Sequence, residues 1–166
     1  MNDQQDNTIS ALLKQLTPGY LPYDIFIQLA RLCVLSVVEL LPLRCKDNRL
    51  EVLLILRASD DHIWANMWHS PGTVVRPTDH NMPDDQIRRI VNQELNGIAI
   101  GDPKFVMNSY HTTERGVENA SIYVSEVLQT PVVGQFYSVD NLPSNIIGYQ
   151  KQMISDAAKK FAQLTS

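Results

Sequence analysis

Apolar residues recur along this chain with two different periods. Between Thr8 and Leu16, Ile9, Leu12, Leu13 and Leu16 fall at i, i+3, i+4 and i+7, one face of a helix, and "TPGYLP" then breaks it. Asp24 can cap a second short helix, "IFIQLARL", which runs into the β-branched stretch "CVLSVVELLPLR". "CKDNR" reads as a turn and "LEVLLILR" as the returning strand of a hairpin. After a loop rich in polar residues and tryptophan, "TVVRP" reads as a short strand. The helix that follows carries Ile87, Ile90, Val91 and Leu95 at helical spacing, with Pro83 near its first position and Asp84 and Asp85 at the positive end of its dipole. "KFVMNSYHTT" and "ASIYVSEVLQT" read as paired strands around the loop "ERGVEN", and "VVGQFYSV" as a last strand. A closing helix puts Ile146 or Ile147, Met153, Ile154, Ala157 and Phe161 on its apolar side. This order predicts an α+β domain, a mixed sheet packed between helices, with ligands near the loop–strand–helix unit at residues 68–98.

Composition narrows the picture. A chain of 166 residues, 44% hydrophobic, suits one core, because a domain of about 150 residues buries roughly 70% of its unfolded surface. The net charge of -4 attracts no polyanion, and the pairs Arg88–Arg89 and Lys159–Lys160 are too small to act as basic patches, so neither nucleic acid nor an acidic membrane is expected as a partner. "MNDQQDNTIS" has no basic segment followed by an apolar one, and "CVLSVVELLPL" is interrupted by Ser36, Glu39 and Pro42 and is too short to cross a bilayer; a cytoplasmic protein is expected. Cys33 and Cys45, in or beside one strand, are too far apart for a disulfide and are expected to be buried free thiols.

Trp68, Pro71–Gly72, a short strand, an acidic turn and a helix carrying Arg89 and Glu94 together resemble the Nudix hydrolase superfamily, whose box is written GX5EX7REUXEEXGU. The resemblance spans roughly Leu32 to Phe161 and implies a Nudix fold, an α/β/α sandwich, over residues 32–166 with a helical extension over 1–31. It also implies hydrolysis of a nucleoside diphosphate derivative assisted by Mg²⁺ or Mn²⁺, because divalent cations neutralise the pyrophosphate and prefer oxygen ligands. The box is degenerate here. Thr73 stands at the usual glycine, Asp79 where the upstream glutamate belongs, and Ile90, Gln93 and Glu94 meet the three later glutamates. Ile90 cannot bind a cation and Gln93 offers only a neutral carbonyl. "RIVNQEL", preceded by a helix running into "CVLSVVEL", resembles GDP-mannose mannosyl hydrolases, whose box also keeps only its last glutamate. That likeness implies a metal held by Glu94 and the Gly72 carbonyl.

The candidate ligands and catalytic groups are therefore Glu94 and Asp79, with Gly72 supplying its carbonyl. Arg57, Arg76 and Arg89 are candidate diphosphate contacts, although Arg89 also suits a bridge between helix and loop carboxylates. Trp64 and Trp68 can stack on a base or fill the core. His80, Gln129 and Gln135 are weaker candidates, and Glu114 and Glu118 are expected in a solvated loop. No general base is legible near the last strand. Two readings follow, a divergent metal-assisted hydrolase of a nucleotide derivative such as a sugar nucleotide, and an inactive Nudix-like module that senses a ligand or contacts a protein; both leave a homodimer open.

Overall fold

The computed structural model describes residues 3–164; residues 1, 2, 165 and 166, included in the expected N-terminal extension and closing helix, lie outside the described residues. Helices α1 (Asp3–Leu13) and α2 (Tyr23–Leu32) precede strand β1 (Leu35–Lys46), which turns tightly into β2 (Arg49–Leu56). Asp47 and Asn48, with φ of 52° and 58°, form the two-residue turn, a left-handed conformation that Asp and Asn tolerate and that matches strand twist. Next come β3 (Trp68–His69), β4 (Gly72–Val74), α3 (Asp84–Gln93), β5 (Lys104–Thr113), β6 (Gly116–Glu126), β7 (Gln135–Ser138) and α4 (Gly148–Leu164).

The sheet is mixed, ordered β3-β2-β1-β6-β5, with β4 also on β1 and β7 on β2. β1 is its axis: it runs parallel to β6 from Leu35↔Glu118 to Leu43↔Glu126 and antiparallel to β2 and β4. Residues 37–43 are buried without a break, as expected for a strand covered on both faces. On one face Val37, Leu41, Val52, Leu54 and Ile122 pack against Met153, Ile154 and Ala157 of α4. On the other Val38, Leu40 and Leu53 pack against Ile87, Ile90, Leu95 and Ile98. The expected arrangement of helices around a mixed sheet is therefore the observed one.

Several local expectations shift. The strand read at "TVVRP" is only three residues long, and the last strand only four. The "ERGVEN" loop shrinks to Glu114 and Arg115, and Glu118 lies inside β6, wholly buried. The cysteines are free but exposed, since Cys33 follows α2 outside the buried run of β1 and Cys45 lies beyond that run at the hairpin end. In α1 the predicted face is solvent-facing, with Ile9, Leu12 and Leu13 exposed.

Helix α3 ends where Asn96 and Gly97 turn left-handed and the Gly97 N–H donates to Val91 O at 2.9 Å. Ile90, at a degenerate box position, is 1% exposed and belongs to the core. Ile90→Ala is accordingly expected to cost about 2–4 kcal/mol in urea unfolding.

Candidate functional site

Strand β1 changes partner along one edge. Residues 43–46 pair with β2 and residues 37–39 with β4, while between them the Leu40 N–H donates to Pro71 O at 2.9 Å. Gly72 lies opposite Glu39 in this register. A Cβ on Gly72 would stand 2.6 Å from the Glu39 carboxyl carbon and 2.7 and 2.8 Å from its oxygens, so glycine is what lets that carboxyl lie against the strand. On its other side the Gly72 N–H donates to Glu94 Oε2 at 3.3 Å, Glu94 being the residue that caps the end of α3. Two carboxyl groups thus bracket one glycine.

The Glu39 side is anchored. Ser70 Oγ donates to Glu39 Oε2 at 2.7 Å, and the Ser70 N–H donates to Gln150 Oε1 of α4, also at 2.7 Å. Burial pushes the Glu39 carboxyl up to about 8; the Ser70 hydrogen bond opposes this and the Glu94 charge adds to it. Burial likewise pushes Glu94 up to about 7, against the Gly72 N–H and the Arg57 charge. The His69 imidazole is driven down to about 3 by burial, with Arg57 adding to the effect, and is neutral at physiological pH. Its Nδ1 lies 2.7 Å from Ser70 O, where a neutral ring donates Nδ1–H and keeps the Nε2 lone pair free.

These groups face a cleft of ≈ 530 Å³ between the sheet and the segment from Gly19 through α2. Tyr20, Tyr23 and Phe26 line one side of it, Glu39, His69, Gly72 and Glu94 another. Trp64 has a guanidinium beyond its ring on two counts, the Arg57 carbon 5.2 Å and the Arg115 carbon 4.8 Å from the ring centroid, and its Nε1–H donates to Glu114 at 2.9 Å. Arg76 lies 5.8 Å from the Tyr20 ring centroid. A second cavity of ≈ 370 Å³ shares Arg57, Asp61, His69 and Glu94 with the first.

Of the residues singled out in the sequence, Glu94, Gly72, Arg57, Arg76 and Trp64 meet at this cleft. Asp79 does not lie among its lining residues, and the expectation that it serves as a second ligand is corrected by its bonding. Its oxygens accept from Arg89 at 2.6 and 3.1 Å, from Gln86 at 2.7 Å and from the Arg76 N–H at 2.7 Å, and this surrounding cationic and amide shell, led by Arg89, holds its carboxyl well below the usual range. Arg89 also donates to Thr73 Oγ1 and Val74 O, so it bridges helix and strand and commits four of its five N–H groups to that structural role. Trp68 packs in the core, edge-on to Tyr137 at 5.2 Å. His80 and Gln93 are exposed, and Gln135 sits on β7 opposite Leu54. Glu118, contrary to the solvated loop expected, is held by Arg115 and Thr113 with His111 Nε2 3.6 Å away. Sequence reading missed Glu39 and His69. The one signal for Glu39 was its presence, as an acid, in an otherwise apolar run.

No protein-family profile matches this sequence, and no curated protein matches it. Solved structures do. The NUDIX domain of Shewanella oneidensis NrtR, in its cocrystal with ADP ribose, superposes with a TM-score of 0.62 at 14% identity, over 97% of this chain and 99% of that one. The chain has the Nudix fold. The Ap4A hydrolase of C. elegans shares it at 13% identity and TM-score 0.58, over 81% of this chain and 100% of that one. A MutT/nudix family protein from Enterococcus faecalis gives 15% and 0.61, over 95% and 69%. The longer NrtR chain complexed with a 27mer DNA matches at 16% and 0.59, with 62% of its length covered.

The Nudix resemblance implies a divalent cation. Among the described residues no three His, Cys, Asp or Glu side chains converge on one point. The Gly72 cradle nevertheless fits such an ion: it brings two hard oxygen donors to one place, and both carboxyls are raised by burial that a positive charge would relieve.

Two outcomes are expected of the metal-free protein. The folded-state values of Glu39 and Glu94 lie above the ordinary glutamate value of 4.5, so between that pH and about 8 the folded chain holds more protons than the unfolded one. Their contribution is complete below 4.5 and is lost as pH rises through 7 to 8; Tm measured in chelator falls over that window, and Glu39→Gln flattens the fall. Arg89→Met leaves Asp79 uncompensated, with the two side chains only 12% and 5% exposed, and is expected to cost about 3 kcal/mol in chemical denaturation.

Proposed function

We propose that this chain binds a nucleoside diphosphate derivative in the cleft beneath α2 and acts on it as a divergent, metal-assisted Nudix hydrolase. The observation that carries the reading is the convergence in one cleft of Glu94 at the Gly72 cradle with Arg57, Arg76 and Arg115 and the aromatic rings of Tyr20, Tyr23 and Trp64. Guanidinium groups match diphosphate oxygens, and aromatic faces match a base or sugar. The cocrystal of the Shewanella oneidensis domain with ADP ribose supports a ligand of this class.

In this reading residues 1–31 form an N-terminal extension, of which the segment from Gly19 through α2 walls the cleft, and residues 32–166 the Nudix-like domain. Glu94 and the Gly72 carbonyl would hold Mg²⁺ or Mn²⁺. A bound cation of this kind neutralises diphosphate oxygens and makes attack by water easier. Arg57, fixed by Asp61 at 2.9 Å, orients the ligand beside Trp64, and the walls of the cleft exclude bulk water. A sugar nucleotide, the substrate class implied by the GDP-mannose mannosyl hydrolase resemblance, is the first choice, in a cytoplasmic setting.

A second reading, a ligand-sensing module without turnover, is favoured by one observation: of the box positions usually held by glutamate, Ile90 is turned into the core and Gln93, at the second cavity beside Glu94, offers only a neutral amide. One screen separates the two. Sugar nucleotides, ADP-ribose and dinucleoside polyphosphates are tested with Mg²⁺ and Mn²⁺, following product release and thermal shift together. The hydrolase reading predicts metal-dependent products that fall by about a hundredfold or more in Glu94→Gln, and ligand-induced stabilisation that weakens in Arg57→Ala. Stabilisation without products defeats it in favour of sensing, and neither effect with any compound defeats both.

A further inference from the structure

We propose that Glu39 and Glu94 together form a divalent-cation site built across Gly72, with one ligand from the central strand and one from the end of α3, in place of the row of helix acids that the box lacks. This deepens the reading of the cleft by adding a ligand to it, and it rests on that reading only for the use to which the cation is put.

The geometry is that of a made site rather than of a tolerated acid. Glu39 is 4% exposed on the strand where its neighbours are Val38 and Leu40, and a carboxyl taken out of water there is costly unless a partner answers its charge. No Lys or Arg among the described residues makes an ion pair with it; Arg115, whose charge reaches it, is bound to Glu118. Its Oε2 takes one hydroxyl donor, Ser70, and its Oε1 takes none among the described residues, while the side chain lines the cleft. A hydrophobic residue would serve the sheet better at this position. Ser70 is itself positioned by Gln150 of α4, which is 1% exposed, so two layers of polar groups fix a carboxyl that contributes nothing to core packing.

A second, separate feature points to a ligand in the same place. His69 is 5% exposed and lines both cavities together with Glu94. Its Nδ1 is engaged by Ser70 O and its Nε2 takes no hydrogen bond among the described residues. A buried neutral imidazole with one nitrogen tied to a backbone carbonyl and the other open to a cavity is suited to receive a water bound to a cation. The primary donors, two carboxylates with carbonyl and water oxygens, select a hard divalent ion, Mg²⁺ or Mn²⁺.

The test is Mn²⁺ titration of chelator-treated protein without nucleotide, read by calorimetry and by the electron-spin signal of free Mn²⁺. Wild type is expected to bind one ion per chain, and Glu39→Gln and Glu94→Gln each to weaken it by about tenfold or more. Asp102→Asn, the same charge change on an exposed residue, is expected to leave binding unaltered. Glutamine keeps an acceptor for Ser70, and circular dichroism checks the fold; if Glu39→Gln does not fold, Ser70→Ala, which frees the carboxyl without removing it, is expected to weaken Mn²⁺ binding by a smaller factor. Wild type that binds no Mn²⁺ at millimolar concentration overturns the proposal, as does Glu39→Gln, or Ser70→Ala in its stead, that binds as tightly as wild type. Nucleotide binding measured in saturating Mn²⁺ is read separately: cation binding that survives where no nucleotide binds supports the carboxylate pair and defeats the assignment of the cleft.

Discussion

A carboxyl group held in the middle of a sheet, against a residue that must be glycine, is the constraint from which the rest of the arrangement follows. Glu39 can occupy β1 only because β4 presents Gly72 opposite it, and β4 can pair there only because β2 has already left that edge. The same departure opens the cleft. The Gly72 N–H is then free to donate to Glu94 at the end of α3, so the fork in the sheet determines where both acids stand.

Electrostatics divides the charged groups around α3 in two. One part is structural: Asp79 and Arg89, with Thr73, Val74 and Gln86, tie the acidic turn to the helix through short, buried, charge-assisted bonds. That cluster keeps α3 at the fork but uses up its own charges in doing so. The other part, Glu94 and Glu39, is uncompensated, and burial leaves both carboxyls poised near neutrality. A positive charge is attracted to the second part and not to the first.

Much of the fold was legible because alternation and helical spacing survive in a covered sheet. The β1–β2 hairpin, α3 and α4 lie close to where periodicity put them, and Trp68 could be followed to the core as one of its two readings. What failed was local to turns and charges. The six residues "ERGVEN", four of them polar and one glycine, look like a loop, yet the turn needs only two of them, because Gly116 adopts a φ of 143° and packs against the Ala30 carbonyl where a side chain would clash; Glu118 is carried into the sheet as a result. Asp79 looked like a ligand because spacing cannot say that Arg89 will reach it first. Glu39 was overlooked because an acid in an apolar run reads as an interruption, and its meaning depends on Gly72, thirty-odd positions away and joined to it only by strand register. The extension is a similar case: the spacing of Ile9, Leu12 and Leu13 marks a helix, but not that the wall of the cleft would come from α2 and Tyr20 instead.

The claim that Glu39 and Glu94 together hold a divalent cation is tested most directly by anomalous diffraction from crystals soaked in Mn²⁺. The account predicts one strong peak within bonding distance of a Glu39 and a Glu94 oxygen beside Gly72. Soaked crystals with no peak there, or with the ion bound by Glu94 while Glu39 stays on Ser70 alone, would contradict it.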